Sequence, residues 1–234
     1  MPAALAALVA RYRDDGPKPV AFDTVAWEAA LRDSALDVKV LRDDRWTSPS
    51  SMPQRRIVDR RGIARLIAET DVADPDPTRA AFALVAVWAS GTKNRNGYRT
   101  LPKALADPGC AGELEAAARR CRAGELAEAY SRFAVAGVER ALFTSWFFFA
   151  GAAAERDWQP LILDDRITKT LNDTLGVTTR AMAGTRDRGQ RYASYVEHLH
   201  AWSAQLTAAG RPCSPERLEW VLFKHQGRAL TGRR

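Results

Sequence analysis

Asp164 closes the short apolar run Pro160-Leu161-Ile162-Leu163 and precedes Ile167, Leu171 and Leu175 at helical spacing. An acid at that point caps a helix, and the cap position fixes the carboxylate while the helix dipole keeps it ionised. A carboxylate held in this way can stabilise positive charge developing on a sugar and orient an attacking water, as in glycoside hydrolysis. Earlier in the chain, Ser145 lies within the apolar aromatic stretch Phe143-Thr144-Ser145-Trp146-Phe147-Phe148-Phe149-Ala150-Gly151.

The elements that would carry these residues belong to a strongly basic chain, with a formal charge of +7 and a pI of about 9.7. The excess is clustered. Lys93, Arg95, Arg99 and Lys103 stand without an acid between Gly91 and Leu105. Further groups lie at Arg55, Arg56, Arg60, Arg61 and Arg65, at Arg180, Arg186, Arg188 and Arg191, and at Lys224, Arg228, Arg233 and Arg234. Any one such group is an ordinary solvated face, but four of them point to a polyanionic partner.

At 234 residues and 46% hydrophobic, the chain can bury one sizeable core or two small lobes that share an interface. Cys110, Cys121 and Cys213 fit neither a zinc site nor a disulfide framework, which points to reduced thiols and a cytoplasmic protein. His198, His200 and His225 make a poor metal site, so no metal and no cofactor is expected. Met1 to Ala10 predicts a helix and not a signal peptide. The longest apolar candidate, around 141 to 154, falls short of the roughly 20 residues that cross a bilayer, so no membrane association is expected.

Helical periodicity dominates. Asp23 or Thr24 caps a segment containing Trp27 and Leu31, and Pro77 opens a helix over 78–90 with Phe82, Leu84, Val85 and Trp88 as its apolar stripe. The same signals predict helices at roughly 51–69, 101–107, 111–122, 123–135, 137–151, 164–175, 187–209 and 214–226. Short strands fit only early in the chain, with 38–41 the best candidate, and 43–53 is predicted as a surface loop. The fold class is mainly α. Residues 1–75 are expected to form a helical or irregular region packed on a core of residues 76–234.

Several segments together resemble the helix-hairpin-helix DNA glycosylases, in particular their 8-oxoguanine branch, over residues 82–223. Asp164 corresponds to the family's catalytic carboxylate. Ala134-Val135-Ala136-Gly137-Val138 resembles the hairpin whose backbone amides hold a DNA phosphate, with Gly137 and Val138 as the matching residues. Counted back from Asp164, the position of the lysine found in bifunctional members is Ser145, so the resemblance implies a monofunctional enzyme that leaves an abasic site. Asn94, Asn96 and Arg99, with Lys93, Arg95 and Tyr98 on the same stretch, are similar to the loop that enters the base stack and contacts the orphaned partner base.

Arg217 to Phe223 resembles the branch's final helix, where Glu219 would read the base edge and Phe223 would stack on the base. Ser145 and Trp146 would complete the base pocket, and Arg166 would join the DNA contacts. Glutamate stands where the 8-oxoguanine enzymes carry glutamine. As a pure acceptor it suits an exocyclic amine such as cytosine N4, and so favours a modified cytosine of phage DNA, hydroxymethylated or glucosylated, removed in antiviral defence. The alternatives are 8-oxoguanine repair and a non-catalytic DNA-binding module of the same two-lobed helical fold. The implied partner is double-stranded DNA containing a modified base, bound by a monomer.

Overall fold

The computed structural model describes residues 1–228 apart from 35, 92–96 and 154. The fold is mainly α with one small sheet. Helix α1 (Leu5–Arg11) leads to strand β1 (Val20–Asp23) and helix α2 (Thr24–Leu31), then to strands β2 (Thr47–Pro49) and β3 (Arg55–Val58). Helices α3 (Arg60–Glu69), α4 (Pro75–Ala89), α5 (Gly97–Leu105), α6 (Cys110–Ala123), α7 (Leu126–Arg132) and α8 (Arg140–Ala150) follow. The chain ends in α9 (Asp165–Lys169), α10 (Thr179–Ala183), α11 (Arg188–Ala208) and α12 (Pro215–His225). Among the described residues, no helix is long and apolar enough to cross a membrane.

The N-terminal region differs from its sequence-based expectation in three places. The predicted strand at 38–41 is a 3-10 turn, because the Asp37 carboxylate accepts from the Lys39 N–H at 3.0 Å and caps it. The predicted helix at 51–69 begins only at Arg60. Its first part is β3, which pairs antiparallel with β1 (Val20 opposite Val58) and with β2 (Thr47 opposite Val58) as the middle strand of three. The β-branched pair Ile57-Val58 favours the strand, and the Asp59 carboxylate, accepting from the Gly62 N–H at 2.8 Å, starts the helix. The predicted loop at 43–53 contains β2. In addition, α4 starts at Pro75 rather than after Pro77, with Asp74 as its cap.

A contiguous set of buried apolar side chains runs from Leu5 through Phe22, Trp27, Phe82, Trp146 and Tyr195 to Leu222. Helix α11 crosses α7 closely. At Gly189 a Cβ would lie 2.1 Å from the Ala127 carbonyl oxygen, so only glycine permits this approach. The contact brings Tyr192 of α11 onto Tyr130 of α7, stacked with centroids 5.2 Å apart. Between α7 and α8 the chain makes a hairpin, in which the Val138 N–H donates to the Val135 carbonyl at 3.2 Å and Gly137 takes a left-handed φ of 75°. The segment 164–175 is helical as expected, although α9 continues as a single π-helical turn over 170–174.

Candidate active site

Residues 160–163 reach Asp164 as a buried segment outside any helix or sheet: Leu161, Ile162 and Leu163 are 0%, 8% and 3% exposed. Buried backbone groups without a ladder need other partners. Side chains from three helices supply them. The Tyr192 hydroxyl donates to the Leu161 carbonyl and the Tyr195 hydroxyl to the Ile162 carbonyl, both at 2.8 Å from α11. Glu219 of α12 accepts from the Ile162 N–H at 2.8 Å, and Thr144 of α8 accepts from the Leu163 N–H at 3.1 Å. The tyrosines, which as sequence form only an apolar stripe, therefore fix the approach to Asp164. Replacing Tyr195 with phenylalanine leaves the Ile162 carbonyl unsatisfied and should cost about 1–3 kcal/mol in urea denaturation.

Asp164 caps α9, its Oδ1 accepting from the Ile167 N–H at 2.7 Å. Burial raises its carboxyl above the usual range, against the opposing pull of the Ile167 N–H and the Arg166 guanidinium. The neighbouring Asp165 forms an ion pair with Arg140, which joins the starts of α9 and α8. A cavity of about 410 Å³ opens beside this junction, lined by Ala141, Leu163, Asp165 and Tyr192 among others. The α8 side chains on that cavity are Arg140 and the exposed Ala141. Ser145 lies one turn further on, 2% exposed, with its hydroxyl donating to the Ala141 carbonyl at 2.7 Å. Among the described residues, no lysine lines the cavity.

The residues expected around the base separate into different environments. Trp146 is a core residue, fully buried edge-on against Phe82, with its indole N–H donating to the Leu114 carbonyl at 2.9 Å. Phe223 is half-buried, and the exposed Arg166 lies over its ring with the guanidinium carbon 4.9 Å from the centroid. Glu219 is 1% exposed, and both of its oxygens are engaged. Oε2 takes the Ile162 N–H, and Oε1 takes the Arg60 guanidinium at 2.8 Å.

Arg60 sits at the start of α3, with its guanidinium carbon 4.8 Å from the Phe148 ring centroid and 5.4 Å from that of Trp88. Burial raises the Glu219 carboxyl, while Arg60 and the Ile162 N–H pull it down. Reading the sequence alone misses this partner, because Arg60 is one basic residue among five in its region. The Asp59 cap immediately before it is the one local signal that orients it.

On the expected DNA-contacting side, Gly137 is exposed and Val138 half-buried in the hairpin. Among the described residues, no side chain caps the α8 start that follows. Arg99 is exposed, whereas Tyr98 packs on Trp27 with centroids 4.5 Å apart. Lys93, Asn94, Arg95 and Asn96 lie outside the described residues. The histidines are dispersed: His198 bonds to the Ser194 carbonyl, His200 to Gln159 and His225 to the Tyr12 hydroxyl.

The site thus comprises a helix-hairpin-helix followed by an acid at the start of the next helix, in a mainly α protein of high positive charge. The chain belongs to the family described as "Putative 8-oxoguanine DNA glycosylase OGG-like protein", whose sequence model matches residues 14–223. The match covers the N-terminal sheet and Arg60 as well as the hairpin, Asp164 and α12 as far as Phe223. No curated protein and no solved structure matches the chain.

Proposed function

We propose that the protein is a monofunctional DNA glycosylase that removes 8-oxoguanine from duplex DNA by Asp164-assisted hydrolysis. The observation that carries this reading is the single acid at the α9 cap, half-buried and held on a segment whose backbone is tied by three helices. As the N-glycosidic bond breaks, positive charge grows on the sugar. A fixed carboxylate stabilises that charge and directs a water to the anomeric carbon. The target base leaves the stack to reach the site and lies against Phe223, displacing the Arg166 guanidinium that covers the ring.

The family match favours 8-oxoguanine over a modified cytosine of phage DNA. The cytosine reading depends on Glu219 as an open acceptor, and its two oxygens are already taken by Arg60 and Ile162. Glu219 acts instead by holding the chain that delivers Asp164. With Ala141 on the cavity and Ser145 enclosed in α8, no amine is available for a Schiff base at either position.

The test is incubation with duplexes carrying 8-oxoguanine, with hydroxymethylated or glucosylated cytosine duplexes in parallel. The expected products are free 8-oxoguanine and a strand that breaks only after alkali, with no covalent adduct on borohydride reduction. An adduct would overturn the monofunctional assignment, and release of modified cytosine alone would overturn the substrate.

A further inference from the structure

Two adjoining cavities lie between α7, the start of α8 and the turn that joins α10 to α11. The first, of about 410 Å³, runs from Leu163 and Asp165, the neighbours of Asp164, past Ala141 to Arg188 and Arg191. The second, of about 590 Å³, continues to Phe133, Phe143 and Arg186. Tyr130, Arg140 and Arg188 wall both, so the two form one groove leading away from the catalytic acid.

The walls alternate aromatic rings with guanidinium groups. Tyr130, Phe133 and Phe143 are half-buried, with Phe133 stacked on Phe143 at 5.1 Å between centroids and Tyr130 edge-on to it at 4.9 Å. Of the groove's three carboxylates, Asp165 pairs with Arg140, Asp187 caps α11 by accepting from the Gln190 N–H at 2.7 Å, and Glu139 is exposed on the wall of the first cavity. Arg191 donates to the Thr179 hydroxyl at 2.8 Å. Arg186 and Arg188 are exposed, and among the described residues neither pairs with a carboxylate.

We propose that this groove receives the sugar-phosphate backbone of the DNA strand next to the reacting nucleotide, with Arg186 and Arg188 as its phosphate contacts. A polymer whose reacting sugar lies at Asp164 must continue along the surface that adjoins it. Guanidinium forks between flat rings match phosphates alternating with sugars. The groove adjoins the hairpin, whose flanking residues Phe133 and Glu139 line it, but its proposed phosphate contacts Arg186 and Arg188 come from the α10–α11 turn and the start of α11 and not from the hairpin amides. The proposal rests on the reading of the protein as a DNA glycosylase.

The experiment measures the salt dependence of full-length protein binding to a duplex carrying a stable tetrahydrofuran abasic analogue. The proteins compared are wild type, Arg186→Ala/Arg188→Ala and Arg186→Lys/Arg188→Lys, with melting temperatures to confirm folding. Each lost phosphate contact lowers the log–log salt slope by about 0.9, so the alanine variant's affinity should fall about twelvefold less than wild type between 50 and 200 mM salt. The lysine variant should restore the wild-type slope. A wild type that binds the duplex and an alanine variant with the same slope would overturn this proposal alone. A slope change seen only with single-stranded DNA overturns it in favour of an unpaired strand. Absence of any duplex affinity in the wild type removes the glycosylase reading as well.

Discussion

Asp164→Asn is expected to reduce single-turnover base release by about 10³-fold while leaving duplex affinity and folding nearly intact. The substitution separates the helix-cap role that the geometry shows from the catalytic role proposed for this residue. As a cap, asparagine is equivalent to aspartate and can still accept from the Ile167 N–H, so stability should change by only a few tenths of a kcal/mol. As a catalyst it fails, since a neutral amide neither balances a cationic sugar nor takes a proton from water. Asp164→Ala should lose both functions, adding roughly 1 kcal/mol of instability. Quantifying abasic sites after alkali, alongside urea denaturation, checks the pair. Normal base release by the asparagine variant would reduce Asp164 to a helix cap.

The pH dependence has a definite direction. Because burial raises the Asp164 carboxyl, the acid limb of the rate should lie above the ordinary aspartate value of about 3.9, and it should be absent from the residual activity of Asp164→Asn. The same shift acts oppositely on folding. A carboxyl raised in the folded state contributes stability that is fully present below its unfolded value and lost as pH rises through its folded value. The ionised form needed for chemistry is therefore the less stable one, an ordinary opposition at functional sites.

Much of the fold was legible in the sequence because the signals were local. Caps and apolar periodicity located α6 to α9, α11 and α12 to within a few residues but missed the five-residue α10, and the Leu161-Ile162-Leu163-Asp164 pattern marked both an approach segment and a helix start. The N-terminal sheet was harder to read. Its strands are three or four residues long, too short for a periodic signal, and the Val38 to Leu41 alternation that looks like a strand is diverted by the Asp37 cap.

The surroundings of Asp164 depended on contacts between distant parts of the chain. Arg60 and Glu219 are separated by 159 positions, and the Tyr195 hydroxyl meets a carbonyl 33 positions away. Spacing along the sequence carries no information about such pairs. Glu219 looked like a reader of bases because its helix could be aligned. Its distances to Arg60 and Ile162 show that it ties α12 to α3 and to the segment before Asp164.

Arg60→Met should destabilise the protein by about 3–5 kcal/mol, the cost of leaving Glu219 buried without its counter-charge. Methionine preserves apolar contact with Phe148 and Trp88, so most of the loss is electrostatic. The defect should depend on pH. Without Arg60 the Glu219 carboxyl rises further, so the variant should retain most stability near pH 5 and lose it progressively towards pH 8.

Adding Glu219→Gln removes the charge but keeps an amide oxygen for the Ile162 N–H. The double variant should therefore be more stable than Arg60→Met at pH 8, and it should lack the excess pH slope. Urea denaturation of the three proteins at both pH values measures this directly. A pH-independent loss below about 1 kcal/mol for Arg60→Met would mean that the guanidinium does not hold the carboxylate. In that case the Ile162 N–H bond alone would link α12 to the segment that presents Asp164.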